Sequence, residues 1–301
     1  MKILCTSDWH LRTTNPRYRI DGFFASQIDK VKWVIGAAEV HGCGLILIGG
    51  DVFDSPDIPN WAKLELIQIF YRSDIPLFTV FGQHDMKYRR PEDTVLSVFD
   101  ETEVIYVLNE KPEIEEDGVC IYGTSYNGQI HEPKDPDKTN VLVIHKMIVE
   151  DKPLWPGQTG HSQAKKFIQK HSDYDLIVSG DNHNTFIKEY HGTTLINPGS
   201  LMRTKTDQQD HEPSVFIYDT KTKETERLKI PILPFHKVMN LELSEATKER
   251  NHELEAFMSG LESDYSIDLN FEENLKQLME QNSVNKSTKD KALEIMGRYY
   301  G

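Results

Sequence analysis

The run Leu45-Ile46-Leu47-Ile48 is followed directly by Gly49-Gly50-Asp51. Four consecutive aliphatic residues are typical of a strand that is buried on both faces. The two glycines let the backbone turn sharply, and Asp51 then lies at the carboxyl end of the strand, where open α/β sheets place their ligands. Taken alone, the stretch is equally consistent with an ordinary strand followed by a turn.

The same design recurs four more times along the chain. Apolar strands are predicted at Lys2–Thr6, Ile75–Phe81, Val141–Ile144 and Leu176–Ser179, and each is followed at once by polar residues. If these strands share one sheet, their polar side chains converge on one edge of it. Eight residues would meet there: Asp8, His10, Asp51, Gln83, His84, His145, Asp181 and His183.

Strands and helices alternate up to about residue 190, which predicts a layered α/β fold. Helices are predicted at residues 24–41, 62–71 and 164–171, and further strands at 104–107, 119–122, 194–196 and 214–218. The composition changes after Pro231 and Pro234, and helical patterns follow at residues 245–261, 271–281 and 288–300. We therefore expect a catalytic domain over residues 1–235 and a small region over residues 236–301.

The chain has 301 residues and a formal net charge of −14, which argues against a general electrostatic attraction to nucleic acid or to anionic membrane. A local basic track is still compatible with that charge. Three cysteines in no C-x-x-C pattern indicate a reducing compartment and no structural zinc site. Because no signal peptide and no membrane-spanning run is predicted, we expect a cytoplasmic protein that has no membrane partner, or one in the host cytoplasm if a phage encodes it.

Imidazole and carboxylate ligands together suit Mn²⁺, Fe²⁺ or Zn²⁺, and the absence of thiolates among the eight residues favours the harder ions of that set. The two oxygens of one Asp can bridge two cations. Two ions about 3.5–4 Å apart are the arrangement that clamps an in-line displacement at phosphorus. The strand-end residues therefore predict a two-metal centre.

The motifs D-x-H, G-D-x-x-D, G-Q-H-D, a lone His and G-D-x-H follow one another in this order. With Pro198-Gly199-Ser200, they resemble the calcineurin-like metallophosphoesterases over about residues 1–240, and most of all the SbcD-type (meiotic-recombination-eleven-like) DNA exonuclease subunits of bacteria and phages. The resemblance implies a four-layer αββα sandwich with a small C-terminal cap and a helical segment. It also implies a metal-dependent DNA nuclease of recombination, repair or phage replication, acting on duplex ends or single strands with an SMC-like ATPase partner.

Carried across residue by residue, the resemblance implies two divalent ions, most consistent with Mn²⁺, with Mg²⁺ or Fe²⁺ as alternatives. The first ion would be held by Asp8, His10, Asp51 and His183. The second would be held by Asp51, Gln83, His145 and Asp181. His84 would be the catalytic residue that protonates the leaving alkoxide, and Asp85 would fix its orientation.

Two residues depart from the family's pattern, and both fall on the second ion. The family has Asn where this chain has Gln83, and His where it has Asp181. A longer amide arm opposite a shorter carboxylate arm can compensate, and three carboxylates would favour Mn²⁺ or Mg²⁺ over Zn²⁺. The alternative is a weakly occupied second site with low activity.

Basic residues flank the metal motifs and would suit phosphate contacts along DNA, although solvated charged loops explain them equally well. They are Arg12, Arg17, Arg19, Lys87, Arg89, Arg90 and Arg203. Two rival functions stay open: a small-molecule phosphodiesterase or phosphatase of the same fold, which the acidic charge favours, and a catalytically weak DNA-end-binding subunit. The sequence also leaves open whether the chain forms a homodimer.

Overall fold

The computed structural model describes residues 1–109, 118–133, 135–247, 249, 279–280 and 286–290. The chain divides into two compact units, Met1–Ser244 and Glu245–Gly301. In the second unit, residues 245–247, 249, 279–280 and 286–290 are helical. Most of the helical patterns predicted at residues 245–261, 271–281 and 288–300 lies outside the described residues. The capping or docking region at residues 236–301 therefore stays a prediction.

The strands of the described chain are β1 (Lys2–Thr6), β2 (Cys43–Ile48), β3 (Leu77–Thr79), β4 (Tyr106–Val107), β5 (Val119–Thr124), β6 (Thr139–His145), β7 (Ile148–Val149), β8 (Ser162–Gln163), β9 (Leu176–Gly180), β10 (Phe186–Tyr190), β11 (Thr193–Asn197), β12 (Ser214–Asp219) and β13 (Thr225–Lys229). The helices are α1 (Phe23–Val40), α2 (Asn60–Tyr71), α3 (Gln83–Met86), α4 (Val95–Glu101), α5 (Ala164–Lys170) and α6 (Phe235–Val238), with a 3₁₀ turn at Pro91–Asp93. None of the described helices is long and apolar enough to cross a bilayer.

Two sheets carry the fold. The first has the strand order β13-β12-β1-β2-β3-β4, and the second has the order β10-β11-β9-β6-β5. The inner strands β1, β2 and β3 run parallel to one another, as do β5, β6 and β9. The antiparallel strands lie at one edge of each sheet: β12 and β13 in the first sheet, and β10 in the second.

Three apolar layers hold the two sheets and their helices together. The face of the first sheet that carries Leu4 and Ile46 packs on α1, α2 and α4, and α1 buries Ile28, Val31 and Ile35 at helical spacing. The opposite faces of the two sheets pack on each other. The outer face of the second sheet packs on α5. The predicted four-layer α/β sandwich is therefore confirmed.

The five strands that end in candidate ligands do not share one sheet. β1, β2 and β3 belong to the first sheet, whereas β6 and β9 belong to the second. The ligands still meet because the two sheets stack face to face with the carboxyl ends of these strands at the same end. The third strand is also shorter than predicted: it begins at Leu77, and the chain leaves the sheet after Thr79 and turns into α3.

Candidate metal centre

Asp51 lies at the middle of the polar cluster and is fully buried. Its Oδ2 is 3.4 Å from His145 Nε2 and 3.6 Å from His10 Nε2. Its Oδ1 accepts the backbone N–H of His84 at 2.9 Å. One carboxylate of the first sheet thus faces imidazoles from both sheets, which is the position that a bridging ligand needs.

Asp8, His10 and His183 lie on one side of Asp51. The Nε2 atoms of His10 and His183 are 3.1 Å apart, and Asp8 Oδ1 is 3.9 Å and 3.8 Å from them. The Ser7 hydroxyl and the backbone N–H of Asp181 donate to the two oxygens of Asp8 at 2.7 Å and 3.0 Å and hold it in place. This group could bind one cation.

Of the residues predicted to hold the second ion with Asp51, His145 belongs to a group that could bind a metal, whereas Asp181 belongs to none of the groups found among the described residues. Asp8, Asp51 and His145 could also hold a metal ion. The two residues that depart from the family's pattern contact each other, since Gln83 Nε2 donates to Asp181 Oδ1 at 2.9 Å. This hydrogen bond leaves the amide oxygen of Gln83 available as a ligand.

Four buried atoms in the cluster have no hydrogen-bond partner within the described part of the chain: His10 Nδ1, Asp51 Oδ2, Gln83 Oε1 and His145 Nε2. Burying a polar atom without a partner costs about 1–3 kcal/mol. Three of them, Asp51 Oδ2, Gln83 Oε1 and His145 Nε2 once it has lost its proton, can donate a lone pair to a cation, and two carboxylate or amide oxygens with one imidazole nitrogen suit a hard or borderline divalent cation. The residues therefore fit the metal that the sequence predicts.

The surroundings of His145 and of His10 shift the pKa values of the two rings in opposite directions. His145 donates from Nδ1 to the carbonyl of Gly49 at 2.7 Å, which leaves Nε2 directed at Asp51. Burial alone would lower the pKa of His145, but the Asp51 carboxylate outweighs it and raises that pKa to about 10. Burial alone would likewise raise the pKa of Asp51, but His145 brings it down to about 2. Burial lowers the pKa of His10 to about 3, so its ring is neutral at pH 7.

The backbone at the cluster is strained. Asp8, His10, Asp51 and Asp181 have φ values of 48°, 45°, 49° and 79°, in a region that residues other than glycine adopt rarely. Such conformations persist where the surrounding structure enforces them, and they cluster at functional sites. Gly82 packs so closely that a Cβ there would overlap the Asp51 carboxylate.

His84 lies at the rim of the cluster, half-exposed, with its ring 4.7 Å from that of His10. Its Nδ1 lies 3.2 Å from the backbone carbonyl of Asp54 and 4.0 Å from the Asp54 carboxylate. The predicted orienting residue Asp85 instead accepts the backbone N–H groups of Phe53 and Gly82 at 2.8 Å and 2.9 Å. Asp85 therefore holds the loop in place. Asp54 instead lies beside the ring of His84, where Asp85 was predicted to be.

The basic residues predicted to contact phosphates separate into two groups. Arg17, Lys87, Arg89 and Arg90 are exposed, and Arg12 is half-buried in an ion pair with Asp54 at 2.9 Å.

Arg19 and Arg203 are buried, and their guanidinium groups are engaged inside the fold. Arg19 binds Asp21 and the carbonyl of Arg203. Arg203 donates to the carbonyl of Leu233 and lies over the ring of Phe235. The burial and the internal partners of Arg19 and Arg203 argue against the DNA contacts predicted for them.

Sequence reasoning gave no role to three residues that support the cluster. Asp54 contacts Arg12 and lies 3.6 Å from His10 Nδ1. Because Asp54 is the last residue of the G-D-x-x-D motif, the sequence could have identified it as part of the site. Asn197 donates to the carbonyls of Asn182 and Asn184 and fixes the loop that carries His183. Gln27 on α1 donates to the carbonyl of His10 at 2.8 Å, and nothing in the local sequence marks it.

Comparisons with known proteins found similarities in sequence and in structure. The chain is 26% identical over 117 residues to the SbcD component of the nuclease SbcCD from Escherichia coli, and the match covers 38% of this chain but only 28% of that protein. TT1561 of Thermus thermophilus has the same fold, with a TM-score of 0.51 at 12% identity over 76% of this chain and 99% of the other. A novel archaeal phosphodiesterase aligns with a TM-score of 0.42 at 14% identity, over 76% of this chain and 100% of the other.

The family assignment rests on a longer match. Residues 1–223 fit the calcineurin-like phosphoesterase superfamily domain, and they contain every candidate ligand described above. With aspartates and histidines clustered where they could bind metal ions, the chain belongs to the calcineurin-like phosphoesterase superfamily.

Proposed function

We propose that this protein is a two-metal phosphodiesterase that hydrolyses DNA. The observation that carries the proposal is the convergence of three buried, unpartnered ligand atoms, on Asp51, Gln83 and His145, beside the half-exposed His84. Those atoms have no hydrogen-bond partner among the described residues, which leaves them available to cations, and the half-exposed imidazole of His84 is accessible to a reacting group.

In this proposal the first ion is held by Asp8, His10, Asp51 and His183, and the second by Asp51, Gln83, His145 and Asp181. We propose Mn²⁺ as the native ion, because the second ligand set contains three side-chain oxygens and a single nitrogen. When bound, the ions would polarise the phosphoryl oxygens and lower the pKa of a coordinated water.

The proposed task of His84 is proton transfer. Its Nδ1–H donates to the carbonyl of Asp54 and fixes the plane of the ring, so Nε2 is the atom that carries the transferred proton. A proton held there can be delivered to the leaving oxygen of the ester. Arg12 keeps the Asp54 carboxylate in place through its ion pair, so Arg12 acts as a positioning residue.

DNA is favoured over a small ester by the segment that follows His84. Lys87, Tyr88, Arg89 and Arg90 are exposed in succession, and Tyr88 is fully accessible on a backbone with φ of 66°. Cations beside an exposed aromatic ring are the combination that binds single-stranded nucleic acid through phosphates and base stacking. The similarity to a nuclease component supports the same substrate.

Two further parts of the proposal rest on the resemblance to the SbcD-type subunits. We propose an SMC-like ATPase as partner, with residues 236–301 as the docking region. The rival is a small-molecule phosphodiesterase, which the net charge of −14 favours because DNA enzymes are commonly basic.

One experiment separates these functions. The protein is incubated with Mn²⁺ and either linear duplex DNA, a single-stranded oligonucleotide or bis(p-nitrophenyl) phosphate, alone and with the ATPase. We expect DNA to be degraded by the wild type and not by His84→Ala. Turnover of the small ester with both DNAs intact would support the rival, and no turnover of any substrate would support a binding subunit.

A further inference from the structure

A cavity lies on the outer face of the second sheet. It has a volume of about 890 Å³ and is bounded by α5, β8 and the loop at residues 128–133. Lys146 lines it and directly follows the candidate ligand His145, so the cavity begins beside the carboxyl end of β6. None of the candidate metal ligands lines it. We call it the α5 cavity.

Three lysines converge on the α5 cavity: Lys146, Lys166 and Lys170. The chain has 48 acidic against 34 basic residues, and surface lysines such as Lys188 pair with a nearby Asp. In the described part of the chain, no carboxylate lies within ion-pair distance of the three cavity lysines. In so acidic a protein, an unpaired lysine trio indicates a place for an anion from outside.

Two of these lysines also repel each other. Lys166 and Lys170 are four residues apart on α5 and therefore lie on the same helix face, where like charges destabilise a helix. Glu132 and Asp173 line the cavity too, and they leave a formal charge of one positive unit on the wall when the histidines are neutral. An anion between the lysines would relieve the repulsion.

Imidazole and aromatic groups complete the wall. His131, His161 and His171 line the cavity, and the Nδ1 of His161 is buried without a hydrogen-bond partner among the described residues. The ring of His171 packs on Phe167 with centroids 4.6 Å apart. Burial lowers the pKa of His171, and Lys170 and Lys146 lower it further, in accordance with a positive potential in the cavity.

We propose that the α5 cavity binds the phosphate group of a nucleotide unit. Ammonium and imidazole N–H groups are donors that suit phosphate oxygens, and the half-exposed ring of His171, which packs on the buried Phe167, offers a surface for a base. A volume of about 890 Å³ exceeds the need of inorganic phosphate and falls within the range of roughly 300–1,000 Å³ typical of small-molecule sites. The unit is either a free mononucleotide or part of a strand that reaches the metal centre, and only the second source rests on the proposed nuclease function.

The test uses the full-length protein in EDTA, so that binding by the metal centre does not interfere. Adenosine 5′-monophosphate is titrated by calorimetry, and a fluorescein-labelled hexathymidylate by anisotropy, into the wild type and the double variant Lys166→Ala/Lys170→Ala. Alanine favours the helix, so α5 is retained. Lys165→Ala is the matched control, because Lys165 is on the same helix but lies over the ring of Tyr190.

We expect the double variant to lose at least tenfold in affinity for adenosine 5′-monophosphate, and Lys165→Ala to stay within twofold of the wild type. A parallel loss for hexathymidylate identifies the strand as the source, and an unchanged hexathymidylate affinity identifies the mononucleotide. Equal affinity of wild type and double variant for adenosine 5′-monophosphate, or no binding to the wild type, would overturn the proposal. Turnover of bis(p-nitrophenyl) phosphate with Mn²⁺, which the double variant should retain, reports separately on the proposed function.

Discussion

Metal binding should expel a proton from His145. In the metal-free protein the Asp51 carboxylate raises the pKa of His145 to about 10, while His145 lowers that of Asp51 to about 2. Between those values the pair holds one proton. Because Nδ1–H is already given to the carbonyl of Gly49, the exchangeable proton is on Nε2, the atom that would bind the second cation.

The expected magnitude follows from this competition. At pH 7 the proton must leave when the cation enters, so His145 contributes about one released proton to metal binding. The affinity for the second ion should accordingly rise about tenfold for each pH unit over neutral pH, and it should fall as the pH falls. His10 adds nothing, because burial lowers its pKa to about 3 and its ring is already neutral.

Calorimetry measures this directly. Mn²⁺ is titrated into the metal-free protein at pH 7 in buffers with different ionisation enthalpies, and the slope of the observed enthalpy against the buffer enthalpy counts the protons. His145→Gln is the control, because glutamine keeps a polar ligand but has no ring proton. We expect about one proton fewer from the variant than from the wild type. Equal counts from the two proteins would refute the assigned protonation.

Three further changes test other parts of the centre. Gly82→Ala should destabilise the fold by about 1–3 kcal/mol in urea denaturation and abolish tight Mn²⁺ binding, because the new Cβ overlaps the Asp51 carboxylate; an unchanged midpoint and affinity would contradict that packing. Gln83→Asn removes the hydrogen bond to Asp181 and should weaken binding of the second Mn²⁺ about tenfold in an electron paramagnetic resonance titration. Tight zinc binding with full activity in the wild type would argue against the assignment of Mn²⁺. Tyr88→Ala should raise the KM for a single-stranded oligonucleotide about tenfold or more through lost stacking, whereas Tyr88→Phe and the turnover of a small ester stay unchanged; a normal KM in Tyr88→Ala would exclude stacking.

The central strands were predictable because they are buried on both faces and therefore read as unbroken apolar runs. The predicted strand at residues 176–179 differs by a single residue from β9, and α1 differs by one residue at each end from the predicted helix. The edge strand β13 was missed because none of its residues is buried and it has no apolar run. The short helix α4 was missed because its seven residues make only two helical turns, too few to show a periodic pattern.

The chemistry of the candidate site was readable at strand ends, whereas its supporting contacts were not. Which arginines face solvent depends on distant partners, as Arg19 shows by donating to a carbonyl 184 residues away. The ring of His84 is likewise oriented by a residue thirty positions earlier, and not by its sequence neighbour. Local patterns name the residues that can do chemistry, but long-range packing decides their neighbours.

The place of β1 in the first sheet sets an order of events during synthesis. Its parallel neighbour β2 follows within the first fifty residues, but its antiparallel neighbour β12 begins only at Ser214. His183 is likewise translated long after Asp8, which it must meet. On the ribosome the first third of the chain therefore exposes an unpaired strand edge and half a set of ligands. Contacts between residues that are distant in the sequence form late in folding, so cation binding should be one of the last steps in the folding of this unit.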